Sequence, residues 1–357
     1  MRLATFACID PWMLICLLSA GTVPPLMELL HRGKPVRIYL LHMVPFVAML
    51  FLGWALLRGD FEGHRAWACV PLLLAVVVRS GTAPMHVWLT DLFDNATFGT
   101  ALLSATPIVG VLAAIRLVLP IAPDWMLQGL SMLSLATAVY AAGMALVQRE
   151  TRRYFAFLLL SHASLVLVGL ELVTSISLTG ALCLWFSVIL SLTGLGLTLR
   201  ALEARFGRLK LTHYQGLYAH APALALCYFL TGLASVGFPG TLGFVSAELL
   251  VDGAIEANLV VGLAMVLTAA LNGIAILRVY FLLFTGNEHV ASVPLNITFR
   301  ERLAVLTLAA LLLGGGLFPQ PGVANRHEAA KQILSQREVG IETRNATLLS
   351  QDDGEPG

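Results

Sequence analysis

Of the 357 residues, 58% are hydrophobic and only 12% charged, with a mean hydropathy of +0.82, whereas soluble domains carry about 25% charged residues. This excludes a water-soluble globular chain, and a net charge of +1 supplies no field for a polyanion, which excludes nucleic acid as a partner. Cys8, Cys16, Cys69, Cys183 and Cys227 lie in or beside apolar runs with no C-x-x-C spacing, the pattern of small buried hydrophobes rather than of a disulfide framework or a metal site.

A helix that crosses a bilayer needs about 20 mainly apolar residues. Ten such segments follow one another: roughly 8–30, 37–57, 66–90, 98–119, 125–147, 154–174, 176–199, 221–253, 258–284 and 302–318. The first lacks a basic n-region and a small-residue cleavage site and is interrupted by Pro24 and Pro25, so it reads as a retained span rather than a signal peptide. With the N-terminus outside, the inside loops hold Arg32, Lys34, Arg37, Arg149, Arg152, Arg153, Arg200, Arg205, Arg208, Lys210, Arg300 and Arg302, against Arg2, Arg58 and Arg65 outside. That bias predicts both termini on the outer, periplasmic side of a bacterial inner membrane. The expected architecture is therefore an all-α integral membrane domain over residues 1–318. The polar remainder, 319–357, is expected to hold a short amphipathic helix near 326–337 and to be largely disordered beyond it. His327-Glu328 opens a metalloprotease-like pattern, but its second histidine position is Lys331, so that reading fails.

Ionisable groups inside spans are functional candidates by default. They are His42, Arg79, His86, Arg116, His162, Glu171, Glu248 and Arg278, with Glu28 and Asp252 near span ends. Arg79 closes an apolar run and is followed by Gly81 and Pro84; Glu248 lies about a turn beyond Pro239 and Gly240. Glycine and proline predict broken helices at about 66–90 and 221–253, whose freed backbone groups must be covered by protein or by a cavity. Two such breaks in corresponding positions point to an ion path between inverted repeats. Arg79 has two open readings: an ion-path charge, or a tie for carbonyls freed by the break. His162, flanked by Ser161 and Ser164, is either a satisfied neutral side chain or a titrating relay. Arg116 and Arg278 read as snorkelling groups. There is no phosphate loop, dinucleotide fingerprint or catalytic dyad, so neither a cofactor nor an autonomous catalytic site is expected.

Arg79 to Leu89, followed by Ala101-Leu102-Leu103 and Arg116, resembles the Lys-Ser-Ala-x-x-Pro-x-His-x-Trp-Leu stretch of the membrane subunits of proton-pumping NADH:quinone oxidoreductase and of Mrp-type antiporters. Glu150-Thr-Arg-Arg-Tyr-Phe-Ala-Phe with Ser161-His162, and Leu233 through Glu248, are similar to the next two motifs of that family in order. The resemblance covers about residues 70–285 and implies an inverted-repeat, antiporter-like bundle, with these ten spans corresponding to the fifth through fourteenth of the family. It also implies a proton route along a polar axis of lysines, histidines and acids.

This chain departs from that axis. Arg79 stands at the lysine position, Ser104 at a histidine and about Ile108 at a second lysine; Val188 and Leu192 stand where a histidine and a lysine are expected. The partner glutamate would fall near Cys16, and Glu248 alone keeps an acid at the terminal site. The chain has only three lysines, Lys34, Lys210 and Lys331, none inside a span. Arginine does not titrate in proteins, so the relay is expected to be incomplete. The expected function is a membrane subunit of a proton- or cation-translocating complex. Arg79, Ser104, His162 and Glu248 are the path candidates, and lipid and further membrane or soluble subunits the partners. The alternative is a non-conducting platform for a partner, such as the family members that pair with a large soluble subunit in inorganic-carbon uptake.

Overall fold

A computed structural model describes residues 2–58, 65–106, 108–286 and 298–352. Helices account for its regular structure, and among the described residues the backbone pairs strand-like only at one bridge between Glu150 and Lys210. The first expected span appears as α1 (Arg2–Ala7), α2 (Pro11–Ala20) and α3 (Val23–His31), with Pro24 and Pro25 in the first turn of α3, where a missing N–H costs nothing. The second is α4 (Arg37–Arg58). The third is broken, as expected, into α5 (Arg65–Ser80) and α6 (Val87–Asn95).

The fourth span departs from the expectation of one continuous helix. It splits into α7 (Phe98–Ala105) and α8 (Val109–Ala113), the latter running into a π-helical turn over Ala114–Val118. Ile108 between them has φ 45°, and the sequence there supplies a proline at position 107, which cannot donate to the preceding turn. Three uninterrupted helices follow: α9 (Asp124–Val147), α10 (Thr151–Glu171) and α11 (Ser175–Phe206). The second expected break separates α12 (Pro222–Ser235) from α13 (Leu242–Ala257), and α14 (Leu259–Phe284) and α15 (Phe299–Leu317) complete the bundle.

Among the described residues, seven stretches are long and apolar enough to cross a membrane. The other three expected spans are the two broken pairs and α15. Beyond an 80° bend, α16 runs over Gln320–Asp352, well past the 326–337 expected from the sequence. Its Ala-, Glu- and Gln-rich sequence favours helix, and its first half is anchored on α11. There Arg326 stacks 4.6 Å from the Phe186 ring, His327 Nδ1 lies 3.1 Å from Thr179 Oγ1, and Ala330 is buried.

α10 sits at the centre, its side chains buried all round apart from Arg153. It packs on α9 and α11, and α14 closes against α9. α11 and α13 approach at backbone distance: a Cβ on Gly180 would lie 2.5 Å from Leu250 N and 2.7 Å from Leu250 Cα. Small residues at a crossing are what allow membrane helices this contact. At one end of the bundle polar ties gather the helix ends. Arg152 forks onto Glu203 and donates to the Phe93 and Ala96 carbonyls at 2.9 and 2.8 Å, while Arg153 Nε donates to Asp94 Oδ2 at 2.7 Å. Exposed Leu, Val, Ile and Phe side chains cover the flanks of the bundle, as a lipid-facing surface requires.

Candidate functional site at two broken helices

The first break is closed from within. α5 ends in a Schellman motif: Thr82 N donates to Val77 O at 3.1 Å and Gly81 N to Val78 O at 3.2 Å, with Gly81 at φ 73°, a conformation costly for other residues. Trp88 Nε1 adds a second bond to Val78 O at 2.9 Å. Pro84 follows in a cis peptide bond, and Ala83 N donates to Thr137 Oγ1 of α9 at 3.0 Å. The Val77 and Val78 carbonyls of this break are thus served by groups other than Arg79.

Arg79 turns elsewhere. Buried at 9% exposure, it lies over the Trp88 ring at 5.1 Å, and its Nη2 donates to the carbonyl of Ser104 at 3.3 Å. Ser104 belongs to the last turn of α7, whose carbonyls lose their helical partners at the 106–108 interruption. Arg79 therefore caps a neighbouring span, and Ser104 contributes its backbone oxygen to this contact. Two cavities of about 20 Å³ touch Arg79, each of the size that holds about one water. One is lined by Ser80, Gly110, Leu159 and Ala163, the other by Thr5, Phe6, Leu17 and Leu18.

His162 repeats the arrangement at the second break. Its Nε2 is 3.0 Å from Ser235 O, the terminal carbonyl of α12, and its Nδ1 is 2.9 Å from Leu158 O. An imidazolium serves both oxygens with two N–H donors, whereas a neutral ring serves only one. Beyond Ser235 the chain turns through Gly237 and Gly240 at φ 82° and 85°, with Pro239 between them, and Thr241 N donates to Phe238 O at 3.1 Å.

Of the four path candidates, then, Arg79 and Ser104 meet directly, whereas His162, although next to Ala163 in sequence, does not line the cavities that touch Arg79. Glu248 does not join them. The inner face of α13 is taken by Leu242, Ser246, Leu250, Gly253 and Ala254, and Glu248 lies opposite, exposed, one turn before the equally exposed Asp252. Between the breaks, Val188 and Leu192 of α11 are fully buried, so the stretch expected to be apolar is apolar.

Of the remaining in-span groups, Arg116 is exposed, Arg278 reaches Gln148 O at 3.4 Å, and His86 packs against Tyr140 and Phe157. Glu28 Oε1 accepts from Thr97 N at 2.7 Å.

Several buried polar groups escaped the sequence reading. Tyr154 and Tyr228 meet hydroxyl to hydroxyl at 2.9 Å, two turns from His162 on the same face of α10. Asn272 Nδ2 donates to Ser161 Oγ at 2.9 Å, and Ser161 in turn donates to Ala138 O at 2.9 Å. Ser187 Oγ and Asn272 Oδ1 are buried without a protein partner. A lone Asn or Tyr within an apolar run is the available sequence signal, but only the fold shows which helix it faces. Among the described residues no group of three or more His, Cys, Asp or Glu is placed to hold a metal ion.

One residue past the expected 66–90 segment, at the polar end of α6, burial and the nearby Asp94 push the Asp91 carboxyl above the usual carboxylate range, with Asn95 and Arg153 opposing.

Two broken helices inside an apolar bundle, with a buried arginine beside the first that caps the neighbouring α7 and a histidine on the helix end at the second, define a polytopic membrane protein of antiporter-like architecture. Residues 55–272 match the family described as NADH:quinone oxidoreductase/Mrp antiporter, transmembrane, more than half of the chain, and the protein belongs to that family. It is 25% identical over 276 residues to NADH-quinone oxidoreductase subunit M of Rickettsia bellii, covering 75% of this chain and 55% of the relative. The chain thus spans about half the length of the curated relatives it matches. A chain of respiratory complex I from Thermus thermophilus superposes with TM-score 0.83 at 24% identity, covering 94% of this chain and 77% of that one. The Mrp complex from Dietzia gives 0.74 at 18% identity, over 84% and 67%. Both structures share the fold.

Proposed function

We propose that this chain is a membrane subunit of a proton- or cation-translocating complex in which the family's charged axis survives as a set of helix-end clamps. One observation carries the reading: a non-titrating arginine at the family's lysine position, bound to the Ser104 carbonyl across a second helix interruption. With Val188 and Leu192 buried and apolar between the breaks, a proton moving from Arg79 towards Glu248 would depend on His162 and on hydroxyls such as Ser187. Exposed Glu248 and Asp252 support a neighbouring subunit on this face, since a carboxylate facing lipid is costly. The basic residues gathered around Arg152, Arg153 and Arg208 fit the inner side of a bacterial inner membrane, with both termini outside.

The test is proton flux under an imposed potential in liposomes holding the purified chain, with His162→Phe and Glu248→Gln beside it. Flux above empty vesicles that falls in both variants supports conduction through these groups. Flux equal to empty vesicles overturns conduction by this chain and leaves a platform role for a partner.

A further inference from the structure

At the end of the bundle opposite the Arg152–Glu203 fork lies a cavity of about 600 Å³ between α9, the end of α10, the start of α14 and α16. Along α9, Asp124, Gln128 and Ser131 line it. The three- and four-residue spacing sets them on one face, a polar stripe running inward from the solvent-exposed Asp124. Glu171, the last residue of α10, closes the inner end. It is 3% exposed, and its Oε1 accepts from Ser134 Oγ at 3.5 Å while Oε2 has no partner; Ser131 Oγ, 2% exposed, has none either. Buried polar atoms left unbonded are costly, and here two of them border a single large cavity.

The charges around the cavity identify the ligand. From α16, Arg337 donates to Asp124 Oδ1 and to the Leu119 carbonyl, so those two charges offset each other. Glu338 lies exposed at the rim, and α14 contributes no charged group to the lining. Among the residues that line the cavity, Glu171 is thus the one buried carboxylate without a counter-charge, with the Ser134 hydroxyl at 3.5 Å and the unbonded Ser131 hydroxyl on the same cavity. Divalent cations require several carboxylates or a rigid octahedral cage, which one carboxylate and two hydroxyls do not provide. We propose that this cavity is an aqueous vestibule whose inner end, formed by Glu171, Ser131 and Ser134, binds a small monovalent cation, H⁺ or Na⁺. The site is separate from Arg79, His162 and Glu248. Its occupancy is an equilibrium property of the isolated chain, so this proposal and conduction succeed or fail independently.

The test is infrared difference spectroscopy of the purified full chain in nanodiscs, following the carboxyl C=O band while pH or NaCl is varied against a choline chloride control. The wild type is expected to show a protonated-carboxyl band that titrates with pH and is absent in Glu171→Gln. Loss of that band on adding Na⁺ identifies a Na⁺ site; indifference to Na⁺ identifies a proton site. Superimposable wild-type and Glu171→Gln spectra at every pH and salt overturn the proposal. Ser131→Ala, which removes only an unbonded hydroxyl, keeps the test open should Glu171→Gln misfold. It is expected to shift the titration, and an unchanged titration overturns the shared site.

Discussion

Replacing His162 by phenylalanine, a ring of similar shape without donors, isolates the clamp on the second break. Leu158 O keeps its backbone partner within α10, so the loss there is only the modest net value of a side-chain bond. Ser235 O, at the end of α12, loses its side-chain partner at 3.0 Å. An orphaned buried acceptor costs about 1–3 kcal/mol in soluble proteins. Interhelical hydrogen bonds in membranes average nearer 0.6 kcal/mol with a maximum near 1.7, because the unfolded chain in the membrane also finds partners. A helix-end carbonyl has fewer such alternatives, which puts the expected loss at about 1–2 kcal/mol. Reversible unfolding in mixed sodium dodecyl sulfate and dodecyl maltoside micelles measures it. His162→Gln, whose amide can still donate to Ser235 O, should recover about half. A phenylalanine variant as stable as the wild type, or a glutamine variant no better than phenylalanine, would refute the clamp.

Arg152→Met should cost about 3–5 kcal/mol, since it strands Glu203 and two carbonyls in a largely buried site; Arg152→Met/Glu203→Leu should return most of that in the same unfolding assay. Gly180→Ala forces a methyl against the backbone of Leu250 and should destabilise by about 1–3 kcal/mol, visible as a lower unfolding midpoint. The Asp91 carboxyl is raised by burial and Asp94, so folding favours its protonated form, and that contribution fades as pH rises through the unfolded and then the folded value. Asp91→Asn should therefore match the wild type at acid pH and unfold at a higher temperature at neutral pH. Equal curves at both pH values would discount the shift.

Apolar run length and the Gly/Pro punctuation were enough to locate the seven stretches that are long and apolar enough to cross a membrane among the described residues, and both expected breaks, because in a bilayer the need to satisfy backbone groups within the chain leaves few alternatives. The 106–108 interruption was harder to see, since one proline within an apolar run reads equally as a kink. Arg79 and His162 stood out as charges in apolar surroundings, but their acceptors are backbone carbonyls 25 and 73 residues away, and no residue type marks a carbonyl. Glu248 was legible as the acid of the motif, but the exposed face of α13 it occupies depends on how α11 and α13 cross at Gly180. Glu171 was visible as an in-span acid, but the cavity that distinguishes it needs α16, whose helix was expected to be much shorter.

The clamps also set how mutations should combine. Arg79 belongs to α5 yet secures the end of α7, and His162 belongs to α10 yet secures the end of α12, so each helix terminus depends on a residue from a distant part of the chain. Variants at Arg79 and in the 104–108 segment should show strong epistasis with each other, as should variants at His162 and in the 235–241 turn, while effects drawn from different clamps should add.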